Sequence, residues 1–150
     1  PDAQPTIDAA PDASATPCNA TTCTSAGGTC QGGACVIHAG TSATCPPGQP
    51  CVVECDAGTD CKGGITCGDA SSCVIDCETM NACDGASFTC AHGCTVECLD
   101  TNTCMNGHYT CGTGSAGCDL ECCHAGACAD SNSFTGSNAT NDPGTCTVPP

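Results

Sequence analysis

The chain has no arginine, no tryptophan, a single lysine (Lys62), and only 14 Leu, Ile, Val and Phe residues among 150. Without clustered Lys and Arg it cannot neutralise phosphates, which excludes a nucleic-acid partner. No run approaches the roughly 20 consecutive apolar residues that a membrane-crossing helix needs, which excludes a transmembrane helix. A formal net charge of −15 with so few aliphatics is the composition of a disordered chain. CxxC steps, which let neighbouring thiolates chelate one metal ion, are also missing, and this argues against a metal-thiolate store.

What the chain does have is 22 cysteines, enough for eleven cross-links. Such density persists only in an oxidising space, so the expected setting is secreted, extracellular or on a cell surface. The chain starts at Pro1 rather than Met, and the expectation is that an export signal has been removed.

Residues 1–17, PDAQPTIDAAPDASATP, carry four prolines, three aspartates and five alanines, and read as an extended tail with Ile7 as its one large apolar side chain. A short Thr-rich lead-in, 18–29, follows. From residue 30 to 150 the cysteines repeat. Cys51, Cys73, Cys94 and Cys118 are spaced 22, 21 and 24 apart, and Cys55, Cys77, Cys98 and Cys122 repeat those steps. So do Cys61, Cys83, Cys104 and Cys128, while Cys45, Cys67, Cys90 and Cys111 make a fourth column. Cys35 and Cys146 extend the first column and Cys30 extends the fourth. A repeat of about 22 residues indicates a solenoid.

Each repeat holds two short strand patterns. CVVEC (51–55), CVIDC (73–77), CTVEC (94–98) and CDLEC (118–122) alternate cysteine and one aliphatic onto an inner face. GITC (64–67), SFTC (87–90), HYTC (108–111) and SFTG (133–136) place Ile65, Phe88, Tyr109 and Phe134 in an apolar column. CVIHA (35–39) and SATC (42–45) are partial copies before these, and CTV (146–148) is the start of another after them. No proline falls between Pro50 and Pro143, as a paired ladder requires. The expected fold is all-β: a small disulfide-rich β-solenoid of about five coils with an extended N-terminal tail. Strand spacing permits disulfides both along a column and within a coil. The constant spacing of Cys55/Cys61, Cys77/Cys83, Cys98/Cys104 and Cys122/Cys128 favours pairing within each coil there.

Two outward columns are candidate binding surfaces. Glu54, Asp76, Glu97 and Glu121 stack, and carboxylates at strand spacing repel by roughly 1 kcal/mol per neighbouring pair even in water. Calcium is the candidate cofactor, because it takes clustered oxygen ligands; no other cofactor is expected. Thr44, Thr66, Thr89, Thr110 and Thr135 form the second column, beside Ser42, Gly64, Ser87, His108 and Ser133. A threonine ladder on a disulfide-stapled coil resembles the ice-binding face of insect antifreeze proteins, although there the coils are shorter and the partner column differs. The four histidines share no motif spacing, and the loops are too short to enclose a pocket, so no enzyme is expected. Thr6, Ser14 and Thr16 suit O-linked sugars, and Asn19 and Asn138 lie in N-x-T acceptor patterns.

Soluble solenoids cover their ends, yet no segment here has helical periodicity, and the last repeat breaks off at Cys146-Thr147-Val148. Open ends invite head-to-tail growth with further copies of the chain, and Ile7 is suited to insertion into a neighbour. The expected function is a structural subunit of an extracellular filament or surface fibre; the alternative is a monomeric surface module binding calcium, ice or glycan. The PDA-type tail (Pro1 to Ala3, Pro11 to Ala13) followed by C-x-V-x-C repeats resembles the exported cysteine-rich repeat proteins and lipoproteins of myxobacteria. That resemblance implies a secreted or surface-attached bacterial protein and transfers no site residues.

Overall fold

A computed structural model describes residues 17–112, 117–128, 132–135 and 140–143. Ile7, Thr6, Ser14, Thr16, Asn138, Cys146 and Val148 lie outside the described residues.

The chain opens with a helix, α1 (Ala20–Ser25), then β1 (Thr29–Gln31), β2 (Ala34–His38), β3 (Ser42–Thr44), β4 (Pro50–Cys55), β5 (Gly64–Thr66), β6 (Ser72–Cys77) and β7 (Ser87–Cys90). It continues through β8 (Cys94–Cys98), β9 (His108–Cys111), β10 (Cys118–Cys122), β11 (Ala125–Cys128), β12 (Ser133–Thr135) and β13 (Thr140–Pro143). The strands form a seven-stranded sheet, ordered β1-β2-β4-β6-β8-β10-β13, and a five-stranded sheet, ordered β12-β9-β7-β5-β3. From β2 onward, β11 apart, the strands alternate between the sheets, and each pairs in parallel with its counterpart one repeat away. This is a β-solenoid of about 4 turns, slightly shorter than the five coils expected.

The registers follow the cysteine columns. Cys51 pairs with Cys73, Cys55 with Cys77, Cys77 with Cys98, and Cys98 with Cys122. Alternation then turns Val53, Ile75, Val96 and Leu120 inward, each fully buried. The other sheet contributes Ile65, Phe88 and Tyr109; the last two are neighbours in register, and their rings stack with centroids 4.8 Å apart. Between these side chains the interior is sulfur.

Disulfides within each coil line both sides of that interior. On one side run Cys45–Cys51, Cys67–Cys73, Cys90–Cys94 and Cys111–Cys118; on the other, Cys55–Cys61, Cys77–Cys83, Cys98–Cys104 and Cys122–Cys128. Cys61, Cys83, Cys104 and Cys128 all adopt left-handed backbone conformations, with φ of 61°, 57°, 54° and 56°. At this corner each turns its N–H onto the preceding coil: Cys61 donates to the Gly40 carbonyl, Cys83 to Asp60, Cys104 to Ala82 and Cys128 to Thr103. The corner thus has a hydrogen-bond ladder of its own.

The ends depart from the sequence reading in three ways. First, a helix does cover one end. Asn19 caps α1, its side chain accepting from the N–H groups of Thr21 and Thr22, and Cys23 bonds to Cys35 on β2. Of the helix residues only Cys23 is buried, so there was no apolar periodicity to read. Second, Cys30 does not belong to the repeating columns. It sits on β1, which folds antiparallel onto β2 through Gly32 and Gly33, both at positive φ, and it bonds to Cys18. A Gly-Gly pair between two short strands is a two-residue hairpin signal. Third, the strand laid on β10 is β13, at 140–143, ahead of the CTV segment expected to begin the next repeat.

Candidate functional site

The two outward columns are brought into register by the same pairings that fix the core. On the seven-stranded sheet Glu54 lies beside Asp76, Asp76 beside Glu97, and Glu97 beside Glu121. His38 heads the column next to Glu54. Its Nδ1 stands 2.9 Å from Glu54 Oε2 and 3.0 Å from Asp56 Oδ2. The hydrogen bond to Asp56 and the charge of Glu54 hold the His38 imidazole above its usual pKa. The histidine's part in this column was missed from sequence, although CVIHA aligned with CVVEC puts His38 where the later repeats have Glu or Asp.

Asp76 is strongly perturbed. Partial burial, then the charges of Glu97, Glu78 and Glu54, push its carboxyl up to about 6. Its Oδ1 is shielded from solvent and accepts no hydrogen bond. A carboxylate with an unsatisfied oxygen between two other carboxylates is the donor chemistry a hard cation prefers. Calcium takes about 6–8 oxygens, however, so water would have to complete any such shell.

On the five-stranded sheet Thr44 lies beside Thr66, Thr66 beside Thr89, Thr89 beside Thr110 and Thr110 beside Thr135. All five are exposed. The parallel column runs Ser42, Gly64, then Ser87, His108 and Ser133, and His108 Nδ1 is 2.6 Å from Ser133 Oγ. The outward positions of this sheet carry no carboxylate, in a chain whose net charge is −15.

β3 and β12 are the outermost strands of this sheet, and neither has a strand on its outer edge among the described residues. Both read Ser-x-Thr: Ser42-Ala43-Thr44 and Ser133-Phe134-Thr135. Beside β3 an open apolar groove of about 420 Å³ runs between α1 and the Pro46-Pro47 corner, lined by Thr22, Ser25, Ala26, Thr44 and Cys45.

Asn19 is exposed, and its side-chain oxygen is engaged as the helix cap. Every described cysteine is disulfide-bonded, which is compatible with an extracellular protein. Among the described residues no helix is long and apolar enough to cross a membrane. No family model, curated protein or solved structure matches the chain.

Proposed function

We propose that the chain is a structural subunit of an extracellular filament or surface fibre, whose copies stack head to tail along the solenoid axis. The observation that carries this reading is the pair of Ser-x-Thr strands, β3 and β12, at opposite edges of one sheet, whose outer edges carry no strand among the described residues. A neighbour's β3 laid on β12 would continue the parallel pairing that β12 makes with β9, where Ser133 faces His108 and Thr135 faces Thr110. Because the other sheet is closed at its N-terminal edge by the antiparallel β1, against which α1 packs, growth is assigned to the five-stranded sheet alone. The groove beside β3 is the proposed seat for a neighbour's tail, with Ile7 as the apolar anchor. Such contacts are heterologous and do not close, so they grow a fibre. The reading keeps the setting that the sequence resemblance implied, a secreted or surface-attached bacterial protein.

Negative-stain microscopy and sedimentation of the full chain, purified without reductant, test this. Fibres or concentration-dependent association are expected. A strict monomer at high concentration overturns the filament, and a chain lacking residues 1–17 that polymerises normally overturns the part given to the tail.

The second reading is a monomeric surface-binding module, favoured by the two registered outward columns. A calcium-dependent rise in melting temperature would support cation binding at Glu54, Asp76, Glu97 and Glu121. Thermal hysteresis or glycan retention would support binding at the threonine column.

A further inference from the structure

Of the ten disulfides with both partners described, Cys18–Cys30 is the one whose two residues are both incompletely buried; the others have at least one cysteine in the core. Cys18 is also next to a second disulfide. Its Sγ and those of Cys23 and Cys35, which are bonded to each other, all lie within 4.8 Å of one another. Sulfur contacts between separate disulfides continue into the solenoid: Cys45 Sγ is 3.7 Å from Cys73 Sγ, and Cys67 Sγ is 3.8 Å from Cys90 Sγ. These interior sulfurs are buried, and buried cysteines are inert to external thiols. Among these ten disulfides the N-terminal cap therefore holds the one that a dissolved thiol can meet at both of its cysteines.

We infer that Cys18–Cys30 is a thiol-exchange site for low-molecular-weight thiols, and that Cys18 relays the exchange to the buried Cys23–Cys35 bond. In the first step a thiolate forms a bond to Cys30 Sγ, and the electron pair of the Cys18–Cys30 bond leaves on Cys18. In the second, the Cys18 thiolate forms a bond to Cys23 Sγ or Cys35 Sγ, and the other cysteine of that pair leaves as a thiolate. Nothing is oxidised overall: one thiolate is consumed as a mixed disulfide on Cys30 and one is produced in the cap. The relay loosens the bond that fastens α1 to β2 while the coils beyond keep theirs.

The Cys30→Ser full-length chain tests the relay without any reductant, because Cys18 then begins unpaired. After equilibration at mildly alkaline pH, alkylation and disulfide mapping by mass spectrometry are expected to find label on Cys23 or Cys35 as well. Label on Cys18 should fall at least about twofold below full occupancy. Label confined to Cys18 overturns the relay. Because that variant could misfold, the unaltered chain exposed to limiting glutathione supplies a second measurement. Glutathione on Cys30, with Cys18 bonded to Cys23 or Cys35, is expected. Glutathione on the interior cysteines instead overturns Cys18–Cys30 as the exchange site, and an intact Cys23–Cys35 bond beside an alkylated Cys18 overturns the relay.

Discussion

Gln49 Nε2 donates a hydrogen bond to Thr22 Oγ1 at 2.9 Å, and its Oε1 accepts from the backbone N–H of Asn19. Gln49 is only 2% exposed, so this one amide ties the N-terminal helix to the corner that leads into β4. Replacing Gln49 by leucine removes both bonds and leaves the Asn19 N–H without its protein acceptor. The expected cost is about 1–3 kcal/mol. In a stack where each coil contacts only its neighbours the loss stays local. Hydrogen exchange should therefore quicken in β1 and β2 and remain unchanged in β6 to β9. Uniform loss of protection, or none, would contradict the role of Gln49 as a fastening.

The contrast between this cap and the coils explains what could be read from sequence. The coils were legible because one physical constraint, an inner face of alternating residues, repeats: cysteine flanks Val53, Ile75, Val96 and Leu120 at the same offsets, and the β registers fall on those columns. The cap repeats nothing. Its helix buries a single cysteine, its stability comes from Asn19, Gln49 and two disulfides, and Gly32-Gly33 was the one local sign of the hairpin. The outward columns were legible as lists of residues. That His38 heads the acid column follows from aligning CVIHA with CVVEC, whereas that Asp76 is the acid left with an unpartnered oxygen depends on side-chain environment that no spacing encodes.

Asp76 sets a pH dependence whose sign can be worked out. Its carboxyl titrates near 3.8 when unperturbed and is pushed up to about 6 in the fold, so between those values the folded chain holds its proton more tightly. The stabilisation is fully present at low pH, declines as pH rises from 3.8 towards 6, and is gone above. A shift of this size would correspond to about 3 kcal/mol if fully retained, and screening at this half-buried position reduces it to about 1 kcal/mol. Asp76→Asn is expected to stabilise the chain by that amount at neutral pH, with the gain vanishing in acid. Denaturant unfolding without reductant at several pH values checks this, and a gain that grew towards low pH would contradict it.

Phe88 and Tyr109 stack because strand register makes them neighbours, and both side chains are essentially fully buried. With so few large side chains inside, neither can be replaced by collapse of the rest. Phe88→Ala is expected to cost about 3–5 kcal/mol, whereas Phe88→Leu, which keeps most of the volume, should cost less, about 1–2 kcal/mol. Equal losses for the two variants would mean that ring stacking, rather than filled volume, dominates here.

The corner cysteines give the sharpest separation of covalent from conformational effects. In the Cys77–Cys83 pair, Cys77 lies in the extended strand β6, but Cys83 has φ of 57°, a conformation that a residue with a Cβ adopts at a cost. The disulfide and the hydrogen bond from the Cys83 N–H to Asp60 hold it there. Take the bond away with a Cys77→Ala, Cys83→Ala double variant and the left-handed strain remains with nothing covalent to offset it. Cys77→Ala, Cys83→Gly relieves that strain and is expected to be more stable than the double alanine chain by about 1 kcal/mol. The order should invert at the other cysteine: Cys77→Gly, Cys83→Ala should be less stable than the double alanine chain, because glycine in a strand adds only chain entropy. All three chains lack the same bond, so differences in their unfolding midpoints report backbone conformation together with the one buried methyl group, worth about 0.8 kcal/mol, that glycine lacks. If glycine at residue 83 proved no better than alanine, the left-handed corner would be a consequence of the disulfide, and not a turn that the chain makes independently of it.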